Sequence, residues 1–137
     1  MERRFEAYEV ALELAAALAP ALTSLARRDS SLASQLRRAA ASVPLCLAEG
    51  ARRTGKDRLH LYRVAAGSAA EVRAALAVAR AWSFATAAQL AAPEALLDRV
   101  LAMLWRLTHL SVAAEGAGHH TIEKVEPSGR KARIRET

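Results

Sequence analysis

The sequence predicts an all-α protein folded as an up-down-up-down four-helix bundle. Three observations carry that reading. Alanine makes up about a quarter of the 137 residues, and alanine is the best helix former and a poor strand former. Apolar residues recur at spacings of three and four in four stretches, and no stretch shows the strict alternation of a half-buried strand. The connections between those stretches are short, which favours neighbouring helices packed antiparallel. At 53% hydrophobic and 25% charged residues the chain has a globular balance. Its length suits one domain with a modest core.

The first predicted helix runs from about Phe5 to Arg27, with Val10, Leu14, Leu18, Leu22 and Leu25 close to one stripe. Pro20 lies inside it and lacks a backbone donor, so a kink or break is expected there. Asp29, Ser30 and Ser31 end this helix and cap the next. The second helix, Ser31 to Arg53, places Leu32, Leu36, Ala40, Val43 and Leu47 on one face, with a bend expected at Pro44. Gly55 suits a C-terminal cap, and Asp57 suits the first turn of a third helix from about Asp57 to Ala87. The inner stripe of that helix is read as Leu61, Val64, Ser68, Glu71, Ala75 and Val78.

Ala92-Pro93 is read as the start of the fourth helix, since proline is well tolerated at the first helical position. Its amphipathic repeat is Leu97, Val100, Leu101, Leu104, Leu107 and Leu110. Gly116 and Gly118 are expected to stop it. The bundle is thus assigned to residues 1–115, and residues 116–137, aperiodic and mixed in charge, to a flexible tail.

The single cysteine, Cys46, excludes an intrachain disulfide and a cysteine-based zinc site, which fits a reducing, cytoplasmic setting. The most apolar stretch, Val10 to Ala26, carries Glu13 and Pro20, so no membrane span is expected. Glu6, Glu9 and Glu13 argue against a signal peptide.

Charge is strongly segregated. The formal net charge is +6, and the segment from Arg27 to Arg63 holds nine basic residues against three acidic ones, which accounts for all of it. Such clustering is the footprint of a polyanion-binding surface, and equally of a solvated surface in an arginine-rich protein.

Two places resist a plain bundle. Gln35, Ala39, Ser42, Cys46 and Glu49 form a stripe of small and polar groups beside the leucine stripe. The run Ala65 to Ala70 contains Gly67 and Ser68 and leads to Glu71. A glycine inside a helix costs about 1 kcal/mol relative to alanine, so Gly67 implies close helix approach, or less readily backbone exposed to a ligand. Glu49 and Glu71 are expected to accept hydrogen bonds, or to pair with Arg38 or Arg63, inside a helix or subunit contact. A di-iron bundle needs Glu-x-x-His motifs, and the chain has none; His119 and His120 are poorly placed for a closed metal site. No metal or cofactor is expected. Arg53 and His60 match the loose Arg–His spacing of HEPN-type ribonucleases, where arginine would steady a phosphate and histidine move a proton.

The segment from Gln35 to Arg53, with Ser42-Val43-Pro44 and Ala48-Glu49-Gly50, resembles the signature of the bacterial four-helix-bundle family, the 23S rRNA intervening-sequence proteins. The run from Tyr62 to Val72 resembles the second signature of that family, and the likeness extends from about Phe5 to Leu110. Cys46 stands where the family usually has asparagine, and Leu61 where an aromatic is common.

The resemblance implies a homopentamer with a central channel. Related bundles are accessory proteins of diversity-generating retroelements, binding nucleic acid and a reverse transcriptase. Gln35, Ser42, Glu49, Gly50, Gly67, Ser68 and Glu71 would then form the structural and interface motif. The second, alanine-rich stripe on the second and third helices is surplus to a monomer and agrees with contacts between copies.

The leading expectation is a non-enzymatic homopentamer that binds nucleic acid through Arg37, Arg38, Arg52, Arg53, Lys56 and Arg58. A ring would repeat the basic segment and add avidity. Tyr62 is the only aromatic in that segment, which argues for backbone contact over base stacking. The alternatives are an interaction scaffold for an acidic protein and, less readily, the HEPN-like ribonuclease.

Overall fold

A computed structural model describes residues 3–123, with side chains from 5 to 109. The described residues form helices α1 (Arg3–Ala17), α2 (Ala19–Arg28), α3 (Ser30–Ala51), α4 (Gly55–Ala81) and α5 (Ala87–Glu123), and no strand. The predicted first helix is therefore two. Proline cannot donate to the carbonyl four residues back and its ring crowds that carbonyl. Pro20 accordingly marks a break at Leu18, and the two pieces meet at 46°.

Asp29 alone separates α2 from α3. Its carboxylate accepts from the Leu32 amide at 3.0 Å and caps α3, as the sequence led one to expect. The α3 helix runs unbroken through the buried Pro44.

The α3–α4 connection is short, and Gly55 carries it with a φ of +57°, a region where a side chain is disfavoured. Gly55 is thus the first residue of α4, and Arg52 caps α3.

Further along, the structure corrects the sequence reading. The α4 helix ends at Ala81, short of the expected Ala87, in a turn where the Phe84 amide donates to the Ala79 carbonyl at 2.8 Å. Ser83 supplies the left-handed residue there, with φ +58°. No glycine or proline announces this turn. Thr86 and Gln89 then cap α5 reciprocally, each side chain accepting from the amide of the other, at 3.1 and 2.9 Å. The start of α5 is set by that pair, so Pro93 lies inside the helix. The helix also passes through Gly116 and Gly118 to Glu123. A lone glycine weakens a helix without necessarily ending it. The remainder of the expected tail, residues 124–137, lies outside the described residues.

The core is one cluster of leucine, valine and alanine drawn from all five helices. Leu14, Leu18, Leu25, Leu36, Leu47, Leu76, Leu90, Leu97 and Leu104 are each almost wholly excluded from solvent. Alanines at the helix contacts let the backbones approach, which compensates for the scarcity of aromatics. The expected stripes of α1–α2 and α3 agree with this core, as does that of α5 from Leu97 to Leu107; Leu110 lies outside the described side chains. The expected stripe of α4 does not agree. Its buried positions are Leu59, Tyr62, Ala65, Ala69, Val72, Ala75, Leu76 and Ala79. The helix is rotated relative to the reading of the sequence, leaving Val64 38% exposed and Glu71 on the surface. An alanine-rich helix offers apolar positions all round, so periodicity alone places its inner face poorly.

Candidate nucleic-acid interface

The α3–α4 pair carries both signature segments and is the most extensive helix contact in the protein. Ser42 and Ser68 meet across it, Ser68 donating to the Ser42 hydroxyl at 2.8 Å. Farther along, Gly50 faces Tyr62. As the α3 number rises the α4 number falls, so the two helices are antiparallel. Cys46 lies 3.6 Å from the Ser42 hydroxyl and extends this short polar chain. The motif residues thus divide. Ser42, Gly50 and Ser68 join α3 to α4, while Gln35, Glu49, Gly67 and Glu71 are exposed.

Glu49 accepts a hydrogen bond from Arg53, one turn away at 3.0 Å, so of the two expected alternatives the hydrogen bond holds and the pairing with Arg38 or Arg63 does not. Glu71 forms no ion pair among the described residues. Gly67 is not wedged against a neighbouring helix of its own chain, for a β-carbon there would have nothing within 4 Å.

The basic residues lie outside. Of the nine from Arg27 to Arg63, all but Arg58 are exposed. Eight of them make two groups, and Arg63 lies farther along α4. Arg27, Arg28, Arg37 and Arg38 gather near the α2–α3 junction, where an open groove is lined by Leu22, Thr23, Arg27 and Arg37. Arg52, Arg53, Lys56 and Arg58 gather around the α3–α4 turn.

Along α3 and its C-cap, Arg38, Ala41, Leu45, Ala48 and Arg52 are all exposed at spacings that place them on one face. The two arginines are about 21 Å apart along the axis. Leu45, between them, is 67% exposed.

Arg58 is different in kind. Its Nε donates to the Gly50 carbonyl at 3.3 Å and its Nη2 to the Ala51 carbonyl at 3.4 Å. These are carbonyls of the last turn of α3; that of Gly50 also accepts from the Arg53 amide at 3.0 Å, and a cation there complements the helix dipole. Arg58 thereby ties α3 to α4. Its charge remains at the basic end of the pair.

His60 is exposed one turn beyond Lys56, and the Arg53 guanidinium is engaged by Glu49. Among the described residues there is no group of three histidine, cysteine or carboxylate side chains able to hold a metal. No single described helix is long and apolar enough to cross a membrane, although the bent α1–α2 pair meets the length and composition requirements.

The profile of the 23S rRNA-intervening sequence proteins matches residues 3–106. The chain belongs to that family. No curated protein matches it. In this 23S rRNA-intervening sequence family member, the match spans all of α1 to α4 and the first half of α5, so both basic groups and the α3–α4 seam lie within it.

Sequence reasoning passed over two features of the same protein. One is a pair of bridges between α4 and α5, Arg73 to Asp98 and Arg80 to Glu94. The other is the stacked pair Trp105 and His109 on α5. The four-residue spacing of the latter was visible in the sequence, but it stands outside the segment marked by charge.

Proposed function

We propose that the protein is a non-enzymatic, homopentameric, up-down-up-down helical bundle that binds the nucleic-acid backbone. Arg37, Arg38, Arg52, Arg53 and Lys56 make the contacts, with Arg58 contributing its charge beside the α3 terminus. The observation that carries the reading is the exposure of the basic residues of the Arg27–Arg63 segment with little acidic opposition: Asp29 caps a helix and Glu49 engages only Arg53. Exposed cations on helical surfaces release counterions from phosphates without reading sequence. The family description, tied to an insertion in ribosomal RNA, favours RNA as the first ligand to test.

Self-association is supported by surface that the single chain leaves open. Leu45 on α3 is 67% exposed and Val64 on α4 is 38% exposed, and a β-carbon on Gly67, three residues on from Val64, would meet open space. A second copy seated there would bury them and give Gly67 the close neighbour it lacks. A role as accessory to a reverse transcriptase or ribonucleoprotein follows from family likeness, and a cytoplasmic setting from the single cysteine.

The test is a gel-shift titration with structured RNA and duplex DNA between about 50 and 300 mM salt, alongside native mass by light scattering. The expected result is a pentamer whose affinity falls steeply with salt. Absence of binding at low salt overturns the nucleic-acid reading, and capture of an acidic protein that survives nuclease treatment favours the scaffold instead.

A further inference from the structure

Trp105 is 60% exposed on the outer side of α5, a large aromatic surface for a chain with so few aromatics. It is held in place. The His109 ring stacks on it, with centroids 4.2 Å apart and planes 16° from parallel. His109 is itself fixed, because Nδ1 lies 2.8 Å from the Trp105 carbonyl oxygen, which can only accept. One indole face is thus backed by a second ring.

The surroundings are cationic. Arg106 directly follows Trp105 and Arg99 lies six residues before it; both are exposed and form no ion pair among the described residues. The nearby carboxylate, Asp98, is engaged by Arg73.

The fold brings this platform toward the basic end of the α3–α4 pair. The bridges Arg73–Asp98 and Arg80–Glu94 show α5 descending as α4 rises. Trp105 is seven residues beyond Asp98, about 10 Å farther toward the α4 N-terminus. Arg63, Lys56 and the α3–α4 turn lie in the same direction from Arg73. The aromatic missing from the basic segment is therefore supplied by another helix. Trp82 offers a contrast: it is equally exposed, at 60%, but it lies at the opposite end of α4, and the cation beside it, Arg80, is paired with Glu94.

We propose that Trp105, backed by His109, stacks on an unpaired base of a single-stranded nucleic acid whose phosphates engage Arg106 and the cations of the α3–α4 turn. This rests on the nucleic-acid reading above and adds to it a preference for single strands. Stacking on an aromatic side chain tolerates any base, whereas a base inside a duplex is not available to it.

The experiment uses the full chain carrying Trp82→Phe, which leaves Trp105 as the only indole. It is titrated with an oligouridylate of roughly a dozen nucleotides and with an RNA duplex of similar length. The oligouridylate should quench Trp105 fluorescence far more than the duplex does. Trp105→Ala should weaken the single strand about 5- to 100-fold while leaving the duplex unchanged, and Trp105→Phe should restore part of the loss.

Equal effects on both ligands, or no effect on either, overturn the stacking role. A fall in native mass for Trp105→Ala also overturns it, by placing the indole between copies. If the parent protein binds neither ligand at low salt, the backbone reading fails first. If Arg52→Ala with Arg53→Ala weakens both ligands and Trp105→Ala weakens neither, only the stacking inference fails.

Discussion

Gly50 and Tyr62 meet across the α3–α4 seam at a distance that only glycine permits: a β-carbon on residue 50 would lie 2.7 Å from Cε1 of the Tyr62 ring. Tyr62 is 2% exposed and cannot simply swing into solvent. Gly50→Ala should therefore destabilise the protein by about 1–3 kcal/mol, the usual cost of overpacking a seam. Urea or thermal melts would measure it, and an unchanged midpoint would mean that the tyrosine yields freely.

Gly67 should respond in the opposite direction. Its added β-carbon meets nothing in its own chain, so Gly67→Ala removes a helix-weakening glycine and adds no clash. A gain of about 1 kcal/mol is expected for the folded chain. Light scattering on the same variant separates two roles, since loss of native mass would show that a neighbouring copy uses the open space.

Arg58 and Arg52 should separate stability from binding. Arg58→Ala removes two bonds to the α3 terminus and should cost about 1 kcal/mol. Arg52→Ala removes an exposed side chain and should stay within about 0.5 kcal/mol of the parent. Both should weaken nucleic-acid binding, and melts run beside the titrations show which loss is folding.

The salt dependence of binding should report how many phosphates are met. Each lost phosphate contact lowers the slope of log affinity against log salt by about 0.7 to 0.9. Arg52→Ala with Arg53→Ala should lower it by about 1.4 to 1.8. An unchanged slope would remove these two residues from the contact.

Much of the fold was legible because leucines marked it. Leu14, Leu18, Leu36, Leu47, Leu97 and Leu104 all stand in the core where their spacing put them. Pro20 and Asp29 also worked as written. The α4 face was misjudged because alanine is apolar without being informative about which side is buried. The start of α5 is set by Thr86 and Gln89, whose three-residue spacing is a capping signal that competes in the sequence with the proline signal of Pro93. The basic residues of the candidate site were found by composition, yet their division into two groups needed the structure. Trp105 and His109 carry no charge signal, and their place toward the basic end of α4 follows only from the antiparallel packing of α5 on α4.

The brevity of the α3–α4 connection has a consequence for the order in which the molecule assembles. Closing a loop of a few residues costs little chain entropy, and this hairpin owns the largest helix contact, so it is the cheapest nucleus available. The α1–α5 contact joins the two extremities of the sequence and carries the greatest closure cost, so it completes late. Mutations in the hairpin should slow refolding, and those between α1 and α5 should chiefly hasten unfolding.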